Sequence, residues 1–395
     1  MNAPETKFEP PALDAAWLGD DPIPAKPYYD PDWFAEEVEA IFKRTWLQAG
    51  HISEVAEPGD YIRREFEFAN ASILIVRGKD GALRGFHNVC THRATQLVTE
   101  EAGQANGFTC PYHAWNFGLE GELKSAPDFD RFNLTKEDCA LKPVSVDVCG
   151  GFVFVNLDPS PDQSLEEFLG EMAPMLEAMP ATRATTFSEY VYDIDANWKM
   201  TFDNFQESYH LRFIHPKSGL ATFSQDNPFG YPAAYGFHGP HRTQRIWTNP
   251  KPNVKPVQMQ LSTIGARKAM AQGTMPADNN RDYLILFPNF FLLGTPTQHF
   301  SHTVYPVSAT KSRGVIRIYW IDQDDSASTR LAREYALATV RDIHAEDVDV
   351  ILRGQRGLNS GCLEHIHFQE LEGLCRHLYL MVEERVLAWR KENGR

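Results

Sequence analysis

The chain has 395 residues, 43% apolar and 12% aromatic, enough for two or three domains' worth of core. Its formal net charge of −15 leaves no basic footprint for a nucleic-acid partner. No run of eighteen apolar residues offers a membrane span, and six scattered cysteines are too few for a disulfide scaffold. The lead from Met1 to Pro31 is rich in proline and acidic residues and lacks the basic and apolar stretches of a signal peptide, so the protein reads as cytoplasmic. Trp33, Phe34, Val38, Ile41, Phe42 and Trp46 recur at helical spacing and predict an amphipathic helix over Asp32–Trp46. From about Gly50 to Asp158 the texture turns to short β-prone runs, Ser72–Arg77, Arg84–Val89 and Gly151–Leu157, broken by glycine and proline. Pro159-Ser160-Pro161 punctuates the chain. Helices are predicted over Leu165–Met179, Asn197–Ile214, Thr329–Arg353 and His367–Lys391, with strands at Asp282–Leu293, His299–Val307 and Gly314–Asp322. The class is α+β, with a small all-β domain (46–160) inserted near the start of a larger one (161–395), on which residues 1–45 pack.

Cys90-Thr91-His92-Arg93 precedes Cys110-Pro111-Tyr112-His113: C-x-H, seventeen residues, C-x-x-H. Two thiolates and two imidazoles converging on one point make a metal site on chemistry alone. Tetrahedral zinc accepts such a set. So does a Rieske cluster, with two cysteines on one iron and two histidines on the other, so that each half of the pattern must offer one of each. The short C-x-H spacer is unusual for a zinc finger, and Gly107 and Pro111 suit two tight loops. Cys139, Cys149, Cys362 and Cys375 have no histidine at useful spacing and read as core thiols. With Ala114, Trp115, Phe117 and Gly118 added, the pattern closely resembles the Rieske family. The resemblance implies a [2Fe–2S] cluster on Cys90, His92, Cys110 and His113, with a potential above that of plant-type ferredoxins.

A second constellation follows Asn197-Trp198-Lys199: Asp203 to His210, then His215-Pro216. On a helix over Thr201–Leu211, Glu207 and His210 share a face. Pro216 biases His215 away from helical geometry, so the chain can turn it back toward His210. Taken alone, two satisfied core histidines explain this pair equally well. The run is similar to the catalytic motif of Rieske oxygenases, Asn-Phe-x-Glu-x-Tyr-His, four residues, His, with Asn204 at its head. In that family the two histidines, here His210 and His215, bind a mononuclear Fe(II), and the acid at the Glu207 position bridges to a cluster histidine of the neighbouring subunit. Ring-dihydroxylating members often carry Asp there and quaternary-amine oxygenases often Glu.

A two-histidine, one-carboxylate site still needs its carboxylate. In the helix Thr329–Arg353, Asp342, Glu346, Asp349 and Arg353 form a polar face, whereas Asp347 falls in line with Val340, Ile343 and Ile351. A carboxylate on a buried stripe needs a cation or a full set of hydrogen bonds, so Asp347 is the expected third ligand. Glu346-Asp347 and Gln355-Arg356-Gly357-Leu358 also look like the family's C-terminal signature.

The resemblance spans the chain from about Tyr28 onward. It implies a Rieske β domain, a helix-grip (START-like) catalytic domain with a curved antiparallel sheet, and a head-to-tail homotrimer. It further implies a separate NAD(P)H-dependent reductase, with or without a ferredoxin. No Gly-rich dinucleotide fingerprint follows a strand, so NAD(P)H is expected to act only through that partner. The expected activity is O2-dependent monooxygenation of a small organic amine or aromatic compound, by N- or O-dealkylation. The alternatives are ring hydroxylation and an iron–sulfur carrier without oxygenase activity. Phe213, Phe223, Tyr231, Phe237, Trp247, Phe290, Phe291 and Leu293 read mostly as core, with a minority lining a substrate pocket.

Overall fold

The computed structural model describes residues 15–219, 222–247, 249, 257, 281–294, 299–321 and 324–395. Residues 1–14 of the N-terminal segment and Asp322, the predicted end of a strand, lie outside them. The chain divides into two compact units: Val38–Glu177, and the residues before Val38 together with Ala178–Arg395.

In the Val38–Glu177 unit a seven-stranded antiparallel sheet runs in the order Leu47–His51, Phe152–Asn156, Pro143–Cys149, Leu83–His87, Ala71–Arg77, Asp60–Phe66, Ala102–Gln104. A three-stranded sheet of Phe108–Thr109, Asn116–Phe117 and Leu123–Ser125 lies in the same unit. Leu74, Val76, Phe86, Phe108, Trp115 and Phe117 share one buried core with Cys90 and Cys110. The predicted helix Leu165–Met179 is instead two short ones, Leu165–Leu169 and Met172–Glu177, because Gly170 turns the chain at φ 50°. Cys139 and Cys149 are buried as expected, but Cys362, in the other unit, is exposed: it sits just past a helix end, beyond any apolar stripe.

The other unit is built on a second seven-stranded antiparallel sheet. Its strands are β1 (Thr186–Ile194), β2 (Ala234–His238), β3 (His241–Ile246), β4 (Arg281–Leu286), β5 (Phe290–Gly294), β6 (His299–Ser308) and β7 (Lys311–Trp320), in the spatial order β1-β7-β6-β5-β4-β3-β2. The two faces of β1 and β7 are chemically distinct. Asp193 pairs with Arg313 and Glu189 with Arg317 on one face, at 2.8 and 2.6 Å, and both pairs sit directly opposite in the register. Tyr190 opposite Ile316 and Tyr192 opposite Gly314 form the other face. A side chain at Gly314 would come within 2.1 Å of the Tyr192 ring, so glycine there makes room for the tyrosine.

Four helices matter for the site: α1 (Trp198–Asp203), α2 (Leu211–Ile214), α3 (Ala327–Asn359) and α4 (Gly373–Glu392). The predicted helix Asn197–Ile214 is α1 and α2 with turns between them. Asn197 starts α1 by accepting from the Lys199 amide, and its own amide N–H donates to Gln355 on α3 at 2.8 Å. The helix Pro31–Glu37 supplies Glu37, whose carboxylate is fully buried against Lys199 Nζ (2.5 Å), Trp33 Nε1 (2.8 Å) and Trp198 Nε1 (2.9 Å). Removing the lysine strands a buried charge. Lys199→Met is therefore expected to destabilise the unit by about 3–5 kcal/mol in denaturant unfolding, more than a comparable surface change.

Candidate functional site

Cys90 and Cys110 begin two loops of the same design. Cys90 N donates to Thr95 O and Cys110 N to Trp115 O, both at 2.8 Å. Ala94 and Ala114 then close the loops by bonding back to Cys90 O and Cys110 O, both at 3.0 Å. Each alanine is left-handed, at φ 58° and 54°, the same strained position used twice. The loops thus present sulfur and imidazole in matching order. Both sulfurs are buried, which disfavours thiolates. Opposing this, the amides of His92 and Arg93 donate toward Cys90, and those of Tyr112 and His113, with the Thr95 side chain, toward Cys110. The rings of His92 and His113 lie 4.6 Å apart, and His92 stacks on Trp115 at 4.8 Å and 7°. Nδ1 of both histidines is buried with no partner among the described residues. Two buried sulfurs with inward donors and two unpartnered imidazole nitrogens fit a cluster with mixed ligands.

In the other unit His210, His215 and Asp347 come together: one ligand atom from each lies within 4.8 Å of the others. His210 precedes α2 and His215 follows it, so one short helix sets their separation. Nε2 of His215 stands 2.9 Å, and Nε2 of His210 3.7 Å, from Asp347 Oδ1. Asp347 is buried on the inward stripe of α3 with His344, Ile351, Gln355 and Leu358. Asn204 donates to the same Oδ1 at 3.4 Å. Burial would weaken His215 as a base, but Asp347 and then Glu346 raise its proton affinity above the ordinary imidazole value.

The outer nitrogens are also held. Glu207 accepts from the His210 amide at 3.2 Å, and its other oxygen pairs with His210 Nδ1. His215 Nδ1 pairs with Glu346 Oε2 at 2.7 Å, and Ser218 Oγ donates to that oxygen at 2.5 Å. Both imidazoles are oriented through Nδ1 and face Asp347 with Nε2, the arrangement expected of histidines that ligate a metal. Glu207 and His210 do not share a helical face as the sequence suggested, because the helix ends at Asp203; a local side-chain-to-backbone bond joins them instead. The helical period placed Glu346 on a polar face, with no role at the metal residues. Its side chain is 39% exposed, and only its position beside Asp347 hints at the contact with His215. Of the aromatic candidates, Phe290 and Phe291 are buried, whereas Phe213 is exposed on the short helix α2.

Comparison with known proteins identifies the two domains that carry these groups. Residues 45–143 match the Rieske [2Fe-2S] domain, and residues 181–388 match the ring hydroxylating alpha subunit (catalytic domain). The chain is 39% identical over 196 residues to the carnitine monooxygenase oxygenase subunit of Escherichia coli K12, covering 49% of this chain and 52% of that protein. It is 33% identical over 218 residues to the glycine betaine monooxygenase oxygenase subunit of Chromohalobacter salexigens, covering 54% and 48%. The chain thus spans about half the length of the curated relatives it matches. The crystal structure of the quaternary ammonium Rieske monooxygenase CntA with an inhibitor aligns over 97% of this chain and 99% of that one, at TM-score 0.75 and 25% identity. With more than half its length matching the catalytic domain and a Rieske domain before it, the chain belongs to the ring-hydroxylating oxygenase alpha-subunit family.

Proposed function

We propose that the protein is the terminal oxygenase of a multicomponent system, which adds one atom of O2 to a small organic substrate. Cys90, His92, Cys110 and His113 would hold the cluster, which would supply one-electron transfer from a separate NAD(P)H-dependent reductase, directly or through a ferredoxin. His210, His215 and Asp347 would hold a mononuclear Fe(II), which would supply the activation of O2 when bound. The observation that carries this reading is that both histidines turn Nε2 toward Asp347 while carboxylates hold Nδ1. Glu207 and Glu346 fix the ring orientation, and Asn204 steadies Asp347. Hydroxylation of a carbon bonded to nitrogen or oxygen gives a product that falls apart to an aldehyde and the dealkylated amine or alcohol. The second oxygen atom leaves as water, with two electrons from the reductase and two protons. The named relatives favour a C–N bond. Phe205, Phe291 and Phe300, packed together in the same unit, favour a second reading, ring hydroxylation. A head-to-tail homotrimer supplies each iron with a neighbour's cluster, because a ring closed by heterologous contacts repeats the junction at every subunit.

Iron quantitation is expected to give the cluster's iron plus one further atom per chain. An iron-specific chelator should remove the extra atom first and stop turnover, with the cluster's visible spectrum intact. A zinc-loaded, colourless protein contradicts the cluster. No label in the product after turnover under 18O-labelled O2 with a surrogate reductase contradicts the oxygenase.

A further inference from the structure

A buried polar group beside the metal residues has no part in holding them. Tyr192 on β1, His302 on β6 and His344 on α3 are 8%, 0% and 1% exposed. Tyr192 Oη and His302 Nε2 lie 2.6 Å apart, and the His344 ring lies 3.9 Å from the Tyr192 ring. Phe205, the neighbour of Asn204 in the chain, packs on His302 at 4.2 Å. His344 is one helical turn before Asp347, and both belong to the buried stripe of α3. The group therefore borders the metal ligands.

Three of its nitrogens are unsatisfied. Nδ1 of His302 and both ring nitrogens of His344 are buried without a partner among the described residues. One orphaned polar atom in a core is already costly, and a cluster of three on two adjacent rings marks a place where a ligand completes the hydrogen bonding. Burial holds His344 near pKa 4, and burial, then His344, holds His302 well below the ordinary imidazole value. Both rings are therefore neutral near pH 7, each with one N–H donor and one acceptor, and neither offers a charge to an ionic group. The neighbouring side chains are aromatic: Phe205 packs on Phe291 at 6.0 Å, Phe291 on Phe300 at 6.0 Å and Tyr283 on Phe291 at 4.5 Å. Phe291 pairs directly with His302 across β5 and β6, which places both on the same face of the sheet.

We propose that Tyr192, His302 and His344 form a substrate-recognition subsite that hydrogen-bonds an uncharged oxygen (hydroxyl, carbonyl or ether) of an aromatic substrate. This rests on the oxygenase reading and names the substrate class of the same site. His344 is the direct donor or acceptor. Tyr192 acts as a positioning residue: its bond to His302 Nε2 leaves Nδ1 of that ring for the ligand.

The test is binding without turnover, by calorimetry on the anaerobic ferrous protein. The probes are p-cresol, the isosteric p-xylene, and phenyltrimethylammonium. p-Cresol is expected to bind about tenfold more tightly than p-xylene, the worth of one satisfied hydrogen bond in a buried site. His344→Leu should erase that difference by weakening p-cresol alone, and Tyr192→Phe, which preserves volume, should narrow it. Should His344→Leu fail to fold or lose its iron, the p-cresol to p-xylene ratio in Tyr192→Phe decides. Equal binding of the two arenes by the unmodified protein overturns the proposal. So does a preference for phenyltrimethylammonium, or an equal loss of both arenes in the variants. Neither O2 nor reductase is present, so failure here leaves the iron and isotope tests of the oxygenase reading standing, and a failed isotope test leaves this binding ratio measurable.

Discussion

Asp347→Ala is expected to abolish product formation while leaving the visible and EPR spectra of the cluster unchanged. Among the described residues, Asp347 is the one carboxylate that faces Nε2 of both His210 and His215, and it is buried on α3. Without it, two imidazoles remain, too weak a set to retain Fe(II) against chelation. The neighbouring acid gives an internal comparison. Glu346 reaches the site only through His215 Nδ1 and is partly exposed, so Glu346→Gln keeps all three proposed ligands and disturbs the orientation of one. Loss of such an outer partner typically costs roughly 10–100-fold in metal affinity or activity. The order of effect should therefore be Asp347→Ala well beyond Glu346→Gln, read as iron bound per chain and as turnover. If Glu346→Gln empties the site while Asp347→Ala stays active, the ligand has been assigned to the wrong residue.

Adjacent acids with such different fates show what could be read from sequence. Asp347 was legible because burial on a helix repeats with the helical period, and an acid in an apolar stripe stands out at once. Glu346 was not, since its partner His215 is 131 positions away and the period places it among solvated charges. The stretch Asn197–Ile214 looked like one helix because its apolar spacing is helical throughout. The break comes from short-range polar bonds that periodicity ignores: Gln206 Nε2 donates to Asp203 at 3.2 Å, and Glu207 accepts from the His210 amide at 3.2 Å. The cluster loops were the most legible part, because all four candidate ligands lie in two short runs whose backbone closes locally. Tyr192, His302 and His344 were invisible. Each comes from a different element, and a lone tyrosine or histidine on a buried face carries no signal until the sheet and α3 bring the three together.

Glu207→Gln is expected to leave both metals bound and the cluster reducible while slowing single-turnover product formation roughly 10–100-fold. Both oxygens of Glu207 already engage His210, one through the amide and one through Nδ1. A carboxylate oxygen has two lone pairs, so either can also accept an N–H from an imidazole of a neighbouring subunit. A glutamine can imitate one such contact but not both, because half of its head is a donor, and an amide facing an imidazole N–H repels it. The same substitution also tests the simpler account, in which Glu207 only secures a turn. A local ion pair of that kind is worth under roughly 1 kcal/mol, and its loss would shift stability slightly without touching electron delivery. Single-turnover kinetics from a reduced cluster separate the two. If Glu207→Gln oxidises its cluster and forms product at the unmodified rate, the carboxylate is a structural turn residue and the path from the neighbouring cluster runs elsewhere. If the cluster stays reduced while iron remains bound, the defect lies in transfer between the centres, because the proposed ligands His210, His215 and Asp347 are unaltered.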